Sequence, residues 1–151
     1  GHDAVLIIDE AQDLTPELLE QVRLLSNLET DDRKLLQIVL LGQPELRDRL
    51  NKHELRQLRQ RITVRYHLAP LTPREVGQYI QHRLAACGAN GSPYFSAPAV
   101  WRIHRYSSGI PRLVNALADK CLLAAFVQKR DRVNYGMVGT AIRELEGHIR
   151  V

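Results

Sequence analysis

The stretch Ala4-Val5-Leu6-Ile7-Ile8, followed at once by Asp9-Glu10, constrains this chain more than any other. Five consecutive apolar residues, rich in β-branched side chains, predict a strand buried on both faces, as occurs where helices cover a parallel sheet. The run ends in two carboxylates. In open α/β sheets, ligands bind outside the carboxyl ends of the strands. Two acids there add little to stability, yet they are well placed to hold Mg²⁺ through oxygen donors or to orient a water. The same pair has a purely local alternative, in which Asp9 caps a helix and Glu10 is simply solvated.

A second apolar run, Leu35 to Gly42, also predicts a buried strand. It leads into Gly42-Gln43-Pro44, where Gly42 lets the backbone turn and Pro44 opens the next helix. Gln43 is thereby left as a polar side chain at the strand's carboxyl end. If the two strands are parallel neighbours, Asp9 and Gln43 face one crevice, and an amide there can orient a water; capping the Pro44 helix is the competing use. Between the runs, Thr15 and Pro16 mark a helix start, with Leu14 and Leu19 as its staple and Leu18, Val22 and Leu25 as its apolar stripe. Residues 27–34 are polar enough for a loop.

From Arg47 to Arg65 the chain turns arginine-rich, the composition of a solvated face. Residues 63–68 alternate as a third, partly exposed strand would. The punctuation around Pro70 and Pro73 then predicts a boundary, with one domain over 1–70 and a second over 71–151. The second half reads as four helices and no strand. Thr72-Pro73-Arg74-Glu75 is a capping box, and the helix it opens carries Val76, Ile80 and Leu84 and stops at Cys87-Gly88. Ser96 caps the next helix, with Phe95 and Val100 as staple. Pro111 opens the longest one, with Leu113, Leu117 and Cys121 inward. Val133-Asn134 starts the last, which carries Val138, Ile142, Leu145 and Ile149. Trp101 stands alone on a short helix and reads as packing rather than as a platform for a base.

Bulk properties exclude several classes. No apolar run approaches the roughly 18 residues that a membrane-spanning helix needs. Cys87 and Cys121 have no CxxC spacing and read as free thiols, and the six histidines form no HxxH pattern, which argues against zinc. A net charge of +4 permits attraction to polyanions without selecting one.

The motifs and their order resemble the second half of an AAA+ ATPase, a P-loop NTPase whose parallel sheet with flanking helices is followed by a small all-α lid. Ile7 to Glu10 is similar to a Walker B motif, Gln43 to sensor 1, and Arg61, or failing that Arg59, to the arginine finger. Gly109-Ile110-Pro111-Arg112 is similar to sensor 2. The resemblance implies that Asp9 binds Mg²⁺, that Glu10 prepares the attacking water, that Gln43 orients it, and that Arg112 contacts the γ-phosphate from the lid. Arg61 would act in a neighbouring subunit. The wording Ile-Ile-Asp-Glu-Ala-Gln, Leu-Leu-Gly-Gln-Pro-Glu-Leu and Arg-Gln-Arg-Ile is closest in kind to the general secretion pathway ATPases of the ExeA/GspA family, with DNA-loading ATPases of transposition as the second resemblance. The first implies ATP and Mg²⁺ as cofactors of a cytoplasmic domain, an inner-membrane parent, and secretion-apparatus proteins as partners; nucleic acid ranks second as a partner, and no membrane contact is expected from this segment. The sequence has no GxxxxGK[ST] phosphate loop, so the expectation is a carboxyl-terminal part of an ATPase domain, inactive alone. In that family the missing strand lies between the strands at 35–42 and 63–68. Two open edges would then invite self-association or repacking of the sheet.

Overall fold

A computed structural model describes residues 4–28 and 35–147. It divides into two compact units, one ending at His67 and one beginning at Leu68.

The first unit is built on strands β1 (Ala4–Ile8) and β2 (Leu36–Leu40), which pair in parallel from Ala4↔Leu36 to Ile8↔Leu40. Helices α1 (Pro16–Leu25), α2 (Pro44–Leu50) and α3 (Arg56–Arg61) supply the core, in which Ala11, Leu19, Leu46, Leu50, Leu55 and Leu58 are buried and Ile8 and Leu40 pack against them. The Thr15 hydroxyl accepts the Leu18 N–H at 3.3 Å and Pro16 begins α1, as the cap signals predict.

Three expectations for this unit are corrected. First, β1 is not buried on both faces. Side chains alternate across a strand, and while Ile8 and Leu40 turn to the core, Val5 and Ile7 are 56% and 62% exposed because no described residue covers their side. Second, the inward stripe of α1 is Leu19 and Val22; Leu18 and Leu25 remain exposed. Third, residues 63–68 form no strand. Alternation alone does not satisfy a strand's N–H and C=O groups, and β1 and β2 pair only with each other among the described residues, so Val64 and Tyr66 stay more than four-fifths exposed. The open edge expected at 63–68 is therefore absent. Of the loop expected at 27–34, residues 29–34 lie outside those described.

The second unit contains α4 (Pro73–Ala86), α5 (Ala97–Ser107), α6 (Pro111–Val127) and α7 (Tyr135–Gly147). Thr72 and Glu75 form the full capping box: the Thr72 N–H donates to Glu75 Oε2 at 2.8 Å, and the Glu75 N–H donates to the Thr72 hydroxyl at 3.3 Å. The Thr72 hydroxyl also donates to Glu75 Oε2, at 2.7 Å, and the Thr72 N–H first and this hydroxyl second hold the Glu75 carboxyl below its ordinary range. The staple residues Leu71, Val76, Phe95, Val100, Val133 and Val138 all join one cluster.

The unit is not free of strand. Two-residue strands β3 (Tyr94–Phe95) and β4 (Arg132–Val133) pair in parallel, with Tyr94 N–H on Asp131 O at 2.9 Å and Ser96 N–H on Val133 O at 3.0 Å. A pairing this short leaves no periodicity to read, but it ties the entries of α5 and α7 together. Ser96 stands at the cap position of α5, although its side chain makes no capping bond. On α6 the buried positions are Val114, Leu117, Ala118, Cys121 and Ala125, and Leu113 is exposed, one residue's rotation away from that stripe. Burial pushes the Cys121 thiol up to about 12, whereas Cys87 is exposed; both are free. Trp101, expected to be packed, is about half exposed. Ile149 lies outside the described residues. Among those described, no helix is long and apolar enough to cross a membrane.

Candidate functional site

The parallel register brings the carboxyl ends of β1 and β2 side by side. Leu41 N–H donates to Ile8 O and Ala11 N–H donates to Leu41 O, each at 2.8 Å, so the chain leaving β1 is held against the chain leaving β2. Asp9 and Glu10 occupy this junction. Glu10 adopts a left-handed conformation with φ 50° and ψ 39°, uncommon for a residue with a side chain and found where surrounding structure enforces it. Its own N–H is taken by Asp9 Oδ1 at 2.8 Å.

The Glu10 carboxylate meets two carboxamides. Gln12 Nε2 donates to Glu10 Oε2 at 2.6 Å, and Gln43 Nε2 approaches the same oxygen at 3.4 Å. Gln43 is the N-cap of α2 by position, but its side chain makes no capping bond there. That observation argues against the local use and leaves its amide directed at Glu10. Gly42 makes room for the Gln12 side chain, since a Cβ at that position would lie 2.7 Å from Gln12 Oε1.

The remaining residues singled out from the sequence are placed elsewhere. Arg61 ends α3 and is exposed; Arg59 is half-buried two residues earlier, and its carbonyl accepts from Arg65 Nη2 at 3.2 Å. Among the described residues no ion pair joins either to Asp9 or Glu10. Arg112 is the second residue of α6 in the other unit, and it is exposed. Two contributors are not singled out by sequence reasoning. Gln12 is one. The other is Arg49, whose guanidinium donates to the backbone carbonyls of Gln12 and Leu14 and so belongs to the frame of the site, not to a solvated arginine face.

The donor set suits a hard cation only in part. No group of three or more metal-ligating side chains occurs among the described residues. Mg²⁺, however, is commonly held through one or two carboxylates with substrate phosphates and water completing its shell, and Asp9, exposed just beyond the end of β1, is a carboxylate of that kind.

Known proteins resemble the chain in both sequence and fold. A family model described as an AAA domain matches residues 1–50. The general secretion pathway protein A of Aeromonas hydrophila is 48% identical over 147 residues, which are 97% of this chain and 27% of that protein. The chain has an AAA+ fold and is related to general secretion pathway protein A. It spans about a quarter of that relative's length. Among solved structures, the RuvB Holliday junction branch migration motor of Thermotoga maritima superposes with a TM-score of 0.72 at 23% identity, over 93% of this chain and 44% of that one. A variant of the same motor gives 0.68. At such identity the likeness establishes fold and nothing finer.

Proposed function

We propose that the chain is part of an ATP-hydrolysing domain, driven by Mg-ATP and working as an oligomer, in a protein that helps to assemble a bacterial secretion apparatus. The observation that carries this reading is the Glu10 carboxylate, held at the end of β1 by two carboxamides beside a second acid. Relatedness to a secretion pathway protein supports the biological setting.

Each residue then has a role. Asp9 serves as the Mg²⁺ ligand, and the cation supplies charge neutralisation on the transferred phosphate oxygens. Glu10 accepts a hydrogen bond from the attacking water and takes its proton as the water oxygen bonds to the γ-phosphorus, while the bond from that phosphorus to the bridging oxygen breaks and ADP leaves with the electron pair. Gln43 fixes the orientation of Glu10 and of that water. Arg112 contacts the γ-phosphate from the helical unit acting as a lid, and Arg61, with Arg59 as the alternative, reaches the phosphates bound by a neighbouring subunit. The sequence holds no GxxxxGK[ST] pattern, so the phosphate loop would come from another part of the full-length protein, and the 151-residue chain alone would be inactive. Open strand edges favour self-association. The domain acts in the cytoplasm.

ATP turnover by the full-length protein tests this reading. Glu10→Gln should lower kcat by about 10² to 10⁴, with no dependence on duplex DNA. Absence of turnover in the unaltered protein would refute the proposal. Strong stimulation by DNA would move the chain to the transposition-type ATPases.

A further inference from the structure

We propose that Gln12 is a positioning residue for this site, a strut that fixes Glu10 and Gln43 relative to each other; the inference rests on the ATPase reading and deepens it. Gln12 spans the two strand ends with one carboxamide. Its Nε2 donates to Glu10 Oε2 at 2.6 Å, and its Oε1 accepts the Gln43 backbone N–H at 3.0 Å. A carboxylate only accepts and a backbone N–H only donates, so a single orientation of the amide satisfies both partners. Reversing it would lose both bonds.

The strut is itself braced. Arg49 donates to the Gln12 carbonyl and, at 2.5 Å, to the Leu14 carbonyl, which fixes the backbone that carries the side chain. Gln12 is half-buried, while Glu10 and Gln43 are exposed. Gly42 leaves room for Gln12 Oε1 where a Cβ would come to 2.7 Å.

The consequence is a division of labour within one carboxylate. Oε2 of Glu10 takes both amide donors, and Oε1 has no hydrogen bond among the described residues. Gln12 therefore decides which oxygen faces outward for the attacking water. Because the same amide holds the Gln43 backbone, Glu10 and Gln43 shift together or not at all. Loss of the strut leaves ATP binding intact and scatters the geometry of the reacting groups.

The test is steady-state ATP turnover by the full-length protein in which Gln12→Ala, Gly42→Ala and the double variant are compared with Glu10→Gln. A displacement of about 1 Å at reacting groups costs up to about 10²-fold in rate, so Gln12→Ala and Gly42→Ala should each lower kcat roughly 10- to 100-fold. KM should change less than about twofold, since the binding of ground state and transition state is not lost equally. A Cβ at Gly42 would also come to 3.0 Å from Leu46 Cδ2, so the Gly42 variant can carry an added defect of its own; because both substitutions disable the same strut, the double variant should be no slower than the slower of the two single ones. Gly42→Ala carries the test if Gln12→Ala lowers the melting temperature too far to assay. Wild-type kcat in Gln12→Ala, or defects that multiply in the double variant, would overturn the inference while Glu10→Gln inactivation kept the ATPase reading standing. An inert unaltered protein would instead remove the ATPase reading, and this inference with it.

Discussion

In the helical unit, Val76, Ile103, Val114, Leu117, Val133 and Val138 are all wholly buried, and they come from each of its four helices and from β4. In the sheet-bearing unit, only Ala11 and Leu19 among the described residues reach that state, and Val5 and Ile7 on β1 remain more than half exposed. One unit encloses a core between its helices, although Leu123, Phe126 and Val127 at the end of α6 stay exposed, and the other leaves a face of its sheet open. Local stability follows buried apolar contact, so the helical unit should open rarely and the strand ends more often. The candidate catalytic groups all lie in the more open unit, apart from Arg112. Residues that must meet a ligand have to be accessible, and the helical unit, if it acts as the proposed lid, would need a rigid core of its own.

The largest expected effect tests that contrast directly. Leu117→Ala should cost about 2–5 kcal/mol, toward the upper end, because Leu117 is wholly buried in a cluster to which all four helices of its unit contribute. Leu19→Ala should fall toward the lower end, since the smaller core around Leu19 borders solvent and can close over the loss. Trp101, the only tryptophan, lies in the helical unit, so urea unfolding followed by its fluorescence reads that unit, and hydrogen exchange at β1 and β2 reads the other. Equal costs in the two units would break the comparison.

A smaller effect sharpens it. Thr72→Ala removes half of the capping box and should cost about 0.5–2 kcal/mol at neutral pH. The Glu75 carboxyl is held below its ordinary value of 4.5 in the folded state, first by the Thr72 backbone N–H and then by its hydroxyl. A depressed folded pKa contributes stability above the unfolded value, and that contribution is lost as pH falls through the folded one. The gap between Thr72→Ala and the unaltered chain should therefore narrow below about pH 4.5. Melting temperatures measured from neutral pH downward would show this, and a gap that stayed constant would mean that the Glu75 carboxylate does not act through the Thr72 hydroxyl.

The same contrast explains what was legible in the sequence. Elements marked by local chemistry were readable: Thr15 and Thr72 cap their helices, Pro111 opens α6, Asn134 Oδ1 accepts the Met137 N–H at 3.0 Å, and Gly88 ends α4 with φ +86°. Asp9, Glu10 and Gln43 were readable as a group because strand ends in a parallel sheet converge. What depends on a distant partner was not. Residues 63–68 alternate like a strand and pair with nothing described, while β3 and β4 are too short to alternate at all. Leu113 and Val114 are equally apolar, and only the packing of α6 against its neighbours selects the second. Gln12 carried a weak signal, a polar residue two positions beyond Glu10, but its span to Gln43 exists only once the two strands are side by side.

The smallest expected effect concerns the open face itself. Val5, Ile7, Val39 and Leu41 are all apolar and all at least two-fifths exposed, although a strand face meant for water usually alternates with polar residues. If that face is as open in solution, Ile7→Ser in the 151-residue chain should change unfolding free energy by no more than about 0.5 kcal/mol, the range of ordinary surface substitutions. Pairing between strand edges of separate copies would leave this result unchanged, because edge pairing uses backbone groups and does not cover the face. A loss of about 1.5–3 kcal/mol, the worth of a fully buried side chain of this size, would have a different meaning if it grew with protein concentration. Copies of the chain would then be covering one another's sheet faces, and the contrast between a closed and an open unit would belong to the isolated molecule alone.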